Sequence, residues 1–247
     1  MIESLDRNNM FTKDSALLNL PGNLNQKEAI FFDGMRHSAQ IVDLSYLRLC
    51  KSLTELSLEN QKMSEDPMFT HVFLDAWAFV DATDRFRCLW EMQPNSENIP
   101  SEFSPSNVRL QLQTIRDVRN VSAHIAQKID QIIALNASVL GSINWVTLAS
   151  QEPLKIKTHF IRPGIMRRNT KCQFAMPNGE VSFIHGSGCI SLAAGKYEAN
   201  LSDAYKFVSS LVLLAEYFLE HTKQATSSQE CIPTDMFGSA ELDTNML

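Results

Sequence analysis

No stretch of this 247-residue chain approaches the roughly 20 apolar residues that a membrane-spanning helix needs. The longest apolar run, residues 208–219, is interrupted by Ser209, Ser210 and Glu216. The opening residues, Met-Ile-Glu-Ser-Leu-Asp-Arg, lack a basic stretch followed by an apolar core, so no secretory signal is expected. Cysteine is sparse. Cys50, Cys88, Cys172, Cys189 and Cys231 are odd in number, and no pair has metal-ligand spacing. The expectation is a cytoplasmic protein with reduced thiols, no bound metal and no cofactor. The sequons at Asn120, Asn136 and Asn200 are then expected to stay unmodified. Basic charge is also short. A formal net charge of −6 argues against a surface that grips nucleic acid all over, while leaving room for a local basic cleft. No internal repeat is visible. Ser187 lies between glycines in His185-Gly186-Ser187-Gly188, but this is not the Gly-x-Ser-x-Gly setting of a hydrolase nucleophile.

What the chain does have is helical periodicity. Residues 1–36 read as an irregular segment, with turns at Pro21-Gly22 and Asp33-Gly34. A helix is predicted from about His37 to Gln61, where Ile41, Leu44, Leu47, Leu53, Leu56 and Leu58 recur. A second runs from Pro67 to Met92, with Trp77 and Trp90 read as core residues. Residues 94–105 form a connector. The third and longest helix spans about Ser106 to Asn136, on a stripe that includes Val108, Leu112, Ile115, Val118, Ser122, Ile125, Ile129 and Ile132. The pattern then turns to β-branched and aromatic runs at 139–149, 154–162, 171–176 and 181–193, with a turn signal at Pro177-Asn178-Gly179. Their spacing suggests an antiparallel meander at 138–200. A last helix follows at about Ser202 to Lys223, with Ser202 and Asp203 as candidate caps. Residues 225–247 read as a flexible tail. The predicted class is α+β, mainly α. Residues 37–137 and 201–224 form a helical bundle, and a small antiparallel sheet is inserted between the third and fourth long helices.

One run of the third helix concentrates chemistry: Arg116-Asp117-Val118-Arg119-Asn120-Val121-Ser122-Ala123-His124. It combines permanent cations, an amide and the side chain whose ordinary pKa lies nearest neutrality. Residues four apart share a helix face, so Arg116, Asn120 and His124 form one stripe. Arg119 turns toward the apolar seam, where a partly buried arginine needs acceptors, and Asp75, Asp81 and Asp84 of the second helix could supply them. Arg119 and His124 lie about 140° apart on an ideal helix. They meet at one phosphate only through a long arginine reach, a local distortion, or a second copy.

The same run resembles the signature of HEPN domains, in which an arginine and usually a polar residue precede a histidine by four to six positions. Arg119, Asn120 and His124 match it with four residues between. The stretch from Val72 to Trp90, with Asp75 and Asp81, is similar to the acidic-aromatic helix that precedes the motif in several such families. The resemblance covers residues 37–137 and the last helix. It implies a compact helical bundle that dimerises and a metal-independent endoribonuclease of a toxin or antiviral defence system, with RNA as substrate and an antitoxin or regulatory protein as a partner. It implies His124 as general base or acid, Arg119 as the stabiliser of phosphoryl charge and Asn120 as an orienting group, with a 2′,3′-cyclic phosphate as product. The alternative within the same resemblance is a non-catalytic domain that binds a nucleotide or a protein. Where families regulated through a tyrosine carry it two residues past the histidine, this chain has Ala126. Arg116 joins the candidate substrate-binding residues. So do Arg162, Arg167, Arg168 and Lys171, the one dense basic cluster, which could hold RNA phosphates or form a solvated hairpin loop. His159 and His185 lack ligand spacing to any cysteine and read as structural.

Overall fold

The computed structural model describes residues 10–11, 14–58, 68–93, 99–152, 155–165, 174, 181–224 and 231–239. Among them are six helices and one four-stranded antiparallel sheet, an α+β fold that is mainly helical. None of the described helices is long and apolar enough to cross a membrane.

Helix α1 runs from Gln26 to Leu58, so it begins inside the segment expected to be irregular. Its start is a reciprocal cap. Asn25 Oδ1 accepts from the Glu28 amide at 3.0 Å, and Glu28 Oε2 accepts from the Asn25 amide at 3.1 Å. The expected turn at Asp33-Gly34 is helical because Gly34 serves packing instead. A Cβ there would lie 3.2 Å from Leu89 Cδ1, so the glycine lets α1 and its neighbour approach closely. That neighbour, α2, spans Met68–Glu91 and buries Val72, Phe73, Ala76, Phe79, Val80, Phe86 and Trp90. The Trp90 indole donates to the Phe103 carbonyl at 2.8 Å, which satisfies its buried N–H.

The expected single long third helix is three. After a 3-10 turn at Ser101–Phe103, α3 covers Pro105–Gln111, α4 Gln113–Ala123 and α5 Ile125–Ala134. Ser104 caps α3 by accepting from the Asn107 amide. The breaks fall at Leu112 (φ −101°, ψ 13°) and His124 (φ −118°, ψ 35°). The burial pattern shows what the second break accomplishes. Val108, Leu112, Ile115 and Val118 are buried as the periodicity requires, but the next buried residue is Val121, whereas Ser122 is exposed. A continuous helix would carry this seam away from the core. The break at His124 resets it, so that Ile132 is buried while Ile129 and Ile133 stay exposed.

The strands are β1 (Ser142–Ser150), β2 (Lys155–Ile161), β3 (Ser187–Ala194) and β4 (Tyr197–Asn200). Their order is β2-β1-β3-β4. This corrects the expected meander among the described residues, since β1 takes both β2 and β3 as neighbours and β2 has only β1 beside it there. The physical reason is burial. β3 carries Ile190, Leu192 and Ala194 inward and sits centrally, whereas the first half of β2 is exposed. The expected strand at 171–176, apart from Phe174, and the turn at 177–179 lie outside the described residues. A tight turn leads into β3. Ile184 and Ser187 exchange both backbone hydrogen bonds, at 2.9 and 3.1 Å, around His185 and Gly186. Both central residues have positive φ (49° and 90°), the signature of a type I′ hairpin turn.

Helix α6, Leu201–Gln224, is capped by Asn200, whose Oδ1 accepts from the Asp203 amide at 3.1 Å. The expected cap, Ser202, is buried. Its Oγ accepts from the Ile190 amide at 2.8 Å and from the Tyr46 hydroxyl at 2.8 Å, linking α6, β3 and α1. Part of the expected flexible tail is docked. Cys231 bridges to Pro21, the Ile232 amide donates to the Leu20 carbonyl at 2.9 Å, and Asp235 pairs with Arg36.

Helices and sheet share one hydrophobic core, from Leu17 through Phe79 and Ile190 to Leu219. The sheet is therefore no separate unit. Replacing fully buried Ile190 by Ala is expected to cost about 2–5 kcal/mol. Denaturant melts followed by far-ultraviolet circular dichroism and by tryptophan fluorescence should shift together, and a sheet melting apart from the helices would contradict the shared core.

Candidate functional site

The charge in this region forms a ladder along one face of α2. At its centre is Asp84, buried. Its Oδ1 accepts from Arg87 Nε at 2.8 Å, and its Oδ2 lies 3.4 Å from Arg119 Nη1. Arg119 Nε donates to Asp81 Oδ1 at 3.0 Å. In the other direction Arg87 Nη1 donates to Glu91, and Glu91 Oε2 accepts from Arg109 Nη2 at 2.7 Å. The guanidiniums of α3 and α4 thus interleave with the carboxylates of α2. Sequence reading had placed Arg119 against Asp75, Asp81 or Asp84. The structure selects the last two, while Asp75 pairs with Arg48 at 3.3 Å. The spacing Asp84-x-x-Arg87-x-x-x-Glu91 on one helix was the unused signal for the rest of the ladder.

Helix α4 is held from a second side. Gly195, in the turn between β3 and β4 at φ 58°, lies so that a Cβ would be 3.5 Å from Val121. The helix bearing the motif is therefore pinned between α2 and the β3–β4 hairpin. Arg119 keeps 43% of its side chain exposed. Hydrogen bonding to Asp81 raises its pKa further against the opposing effect of burial, so it is a fixed cation.

Arg116, Asn120 and His124 follow one another along α4, and Arg116 and His124 are exposed. Among the described residues, no side chain bonds to any of the three. His124 is also where the helix stops. Its amide donates to the Asn120 carbonyl at 3.2 Å, and its own carbonyl accepts from the Gln127 and Lys128 amides at 3.0 and 3.1 Å, starting α5. The residue with the acid–base side chain thus occupies the joint between two helices. Asp117, within the same run, accepts from Gln113 Nε2 at 2.8 Å and is an ordinary intrahelical partner.

The basic cluster is only partly in view. Arg167, Arg168 and Lys171 lie outside the described residues. Arg162 donates to the Asn136 carbonyl at 2.5 Å and reaches the Ile165 carbonyl at 3.5 Å, which ties its loop to the end of α5. His159 Nε2 is 2.9 Å from Thr147 Oγ1, and its ring stacks on Trp145 at 5.0 Å. Burial lowers its pKa, with Lys157 adding to the effect. Among the described residues, no group of three or more His, Cys, Asp or Glu stands at metal-binding distance. Comparison with protein-family models, curated proteins and solved structures finds no match to this chain. The chemistry of the site has to follow from its own geometry.

Two outcomes follow from the ladder. Asp84→Ala removes one partner of the buried Arg87 and should cost about 3 kcal/mol, the low end for breaking a buried pair, because Glu91 remains on Arg87. Chemical denaturation measures it. The hydrogen bond from Arg109 also holds the Glu91 carboxyl below its ordinary range, against the effect of burial and with help from Arg87. A carboxyl with a depressed folded-state pKa stabilises the fold above its unfolded pKa, and that stabilisation is lost as pH falls through the folded value. Stability measured from pH 6 downward should therefore fall below about pH 4.5, and more steeply in the native chain than in Glu91→Gln.

Proposed function

We propose that the chain is a HEPN-like, metal-independent endoribonuclease that works at the exposed face of α4. The observation that carries this reading is the division of labour within the motif. Arg119 is fixed by two carboxylates, whereas Arg116, Asn120 and His124 stand in line, free of other side chains, at a helix joint. His124 would take the proton from a ribose 2′-hydroxyl, or return one to the leaving 5′-oxygen. Arg116 and Asn120 would hold the phosphate oxygens. Arg119 presents Nε and Nη1 to Asp81 and Asp84, so its Nη2 is the edge that would face charge developing on the phosphoryl group. Attack of the 2′-oxygen on phosphorus expels the 5′-oxygen and leaves a 2′,3′-cyclic phosphate. Such groups need no metal to perform this reaction. Two copies facing each other at this stripe would supply both the base and the acid. A toxin or defence role, restrained by an antitoxin or regulatory protein, would be the setting for that activity.

A second reading, a non-catalytic HEPN-like domain that binds a nucleotide or a protein, draws on the same ladder. With Asp81 and Asp84 on it, Arg119 has little charge to spare for a phosphate, and a clamped arginine also serves as a purely structural tie.

The test uses structured and unstructured RNA incubated in EDTA with the native chain, Arg119→Ala, Arg116→Ala and His124→Ala. The expected result is cleavage to cyclic-phosphate ends, reduced about 10²–10⁴-fold in His124→Ala. Equal cleavage by all four proteins would point to a contaminating nuclease and remove the reading. Saturable nucleotide binding with no cleavage would select the second. Sedimentation of the active species checks the pairing, which a cleaving monomer would exclude.

A further inference from the structure

We propose that the groove between Leu20 and the Asp33–Arg36–His37 turn of α1 is a peptide-recognition site for an extended Ile-Pro-x-Asp segment, filled in cis by residues 232–235. Residues 225–247 carry no periodicity, so no local pattern marks it. The groove has the three parts of a peptide site. The first is main-chain pairing: Pro21 and Cys231 form an antiparallel bridge, and the Ile232 amide donates to the Leu20 carbonyl at 2.9 Å. The second is an open recess of about 260 Å³ between the strap and α1, walled by Leu20, Ala29 and Ile30 on one side and by Ile232 and Pro233 on the other, with Asp33 and Asp235 adding polar edges. The third is a charge clamp. Arg36 donates from Nη1 to Asp235 Oδ2 at 2.9 Å and from Nη2 to Asp235 Oδ1 at 3.0 Å, a two-pronged grip on one carboxylate.

The clamp is built into the fold rather than improvised on its surface. Arg36 is only 3% exposed, so its charge requires compensation. Asp33, on its own helix, gives part of it at 2.7 Å, and the His37 ring nitrogen lies 2.9 Å from Nη2. The Arg36 Nε has no partner among the described residues. The remaining carboxylate comes from outside α1. Asp235 supplies it with 62% of its side chain in solvent, so a carboxylate on another segment has access to the same position.

The cis segment fits the groove incompletely. Ile232 leaves the recess beside it open, and the two residues after the clamp, Met236 and Phe237, are 99% and 93% exposed. A segment with the same Pro-x-Asp spacing and a larger apolar residue in place of Ile232 fits better. The occupant that this geometry selects is thus an acidic peptide in extended form that displaces the chain's own strap.

The experiment uses the full-length chain and a labelled peptide of the sequence Cys-Ile-Pro-Thr-Asp-Met-Phe-Gly. In Asp235→Ala the cis clamp is lost, and the peptide should bind measurably by fluorescence anisotropy. The native chain should bind it at least about tenfold more weakly, because its own strap competes at an effective concentration near millimolar. Changing the peptide's Asp to Ala should abolish binding, and changing its Ile to Phe should strengthen it. Hydrogen exchange gives an independent readout of the strap itself. The Ile232 amide should be protected in the native chain and lose at least about tenfold of that protection in Asp235→Ala. Peptide binding that ignores the Asp, equal binding to both proteins, no binding at millimolar peptide, or unchanged Ile232 exchange would each overturn the proposal.

Discussion

A carboxylate buried in the middle of a helix must be neutralised, and much of this molecule is arranged around how Asp84 is neutralised. Its own helix supplies Arg87, one turn on. That pairing alone would leave Arg87, which is also buried, sharing charge with Glu91 and nothing beyond. The remaining oxygen of Asp84 turns to Arg119 on α4, and the remaining oxygen of Glu91 turns to Arg109 on α3. Two helices separate in sequence from α2 are thereby located along its length by charge rather than by apolar packing alone. Desolvation makes these ties directional: a slip of α4 by one turn would take Arg119 from Asp84 and leave the carboxylate with Arg87 alone.

That registration explains why α4 presents the face it does. Once Arg119 is drawn onto α2, the residues one position on, and one turn before and after that, point elsewhere. Arg116, Asn120 and His124 form this second stripe, and none of them is needed to hold the bundle together. The β3–β4 hairpin adds the opposing constraint at Val121. A helix fixed from both sides can stop abruptly, and it does so at His124, where the apolar seam has drifted too far for a straight continuation.

The amphipathic helices and the change to a sheet after residue 138 were legible because periodicity is a local signal. Val108 to Val118 landed in the core at the positions their spacing requires. The break at His124 was not legible, because no glycine or proline marks it. It arises from the mismatch between a 3.6-residue period and a core that curves away, which only the neighbouring elements define. The start of α1 was legible in principle through Asn25 and Glu28, but the Asp33-Gly34 pair reads as a turn until Leu89 is placed against it. Strand order could not be read, since β1 and β3 pair across 39 intervening residues or more, and no local pattern encodes which neighbour a strand will choose. For the candidate site, residue types and the Arg119–aspartate contact were visible in advance. What was hidden was that the contact takes Nε and Nη1 of Arg119 and leaves Arg116 as the stripe's own cation, without a side-chain partner among the described residues.

This charge accounting constrains any reaction with a polyanion. The ladder contains three arginines and three carboxylates, so it contributes no net positive field. The chain as a whole is acidic at −6. One copy therefore offers an approaching RNA little beyond Arg116 at the stripe, and a single cation is a weak trap for a phosphodiester. Bringing two stripes together changes the balance without any new residue. It doubles the unpaired cations at one place and supplies a second imidazole. The acidity of the chain and the neutrality of its ladder thus argue in the same direction. A polyanion at this face would be held better by two facing stripes than by one.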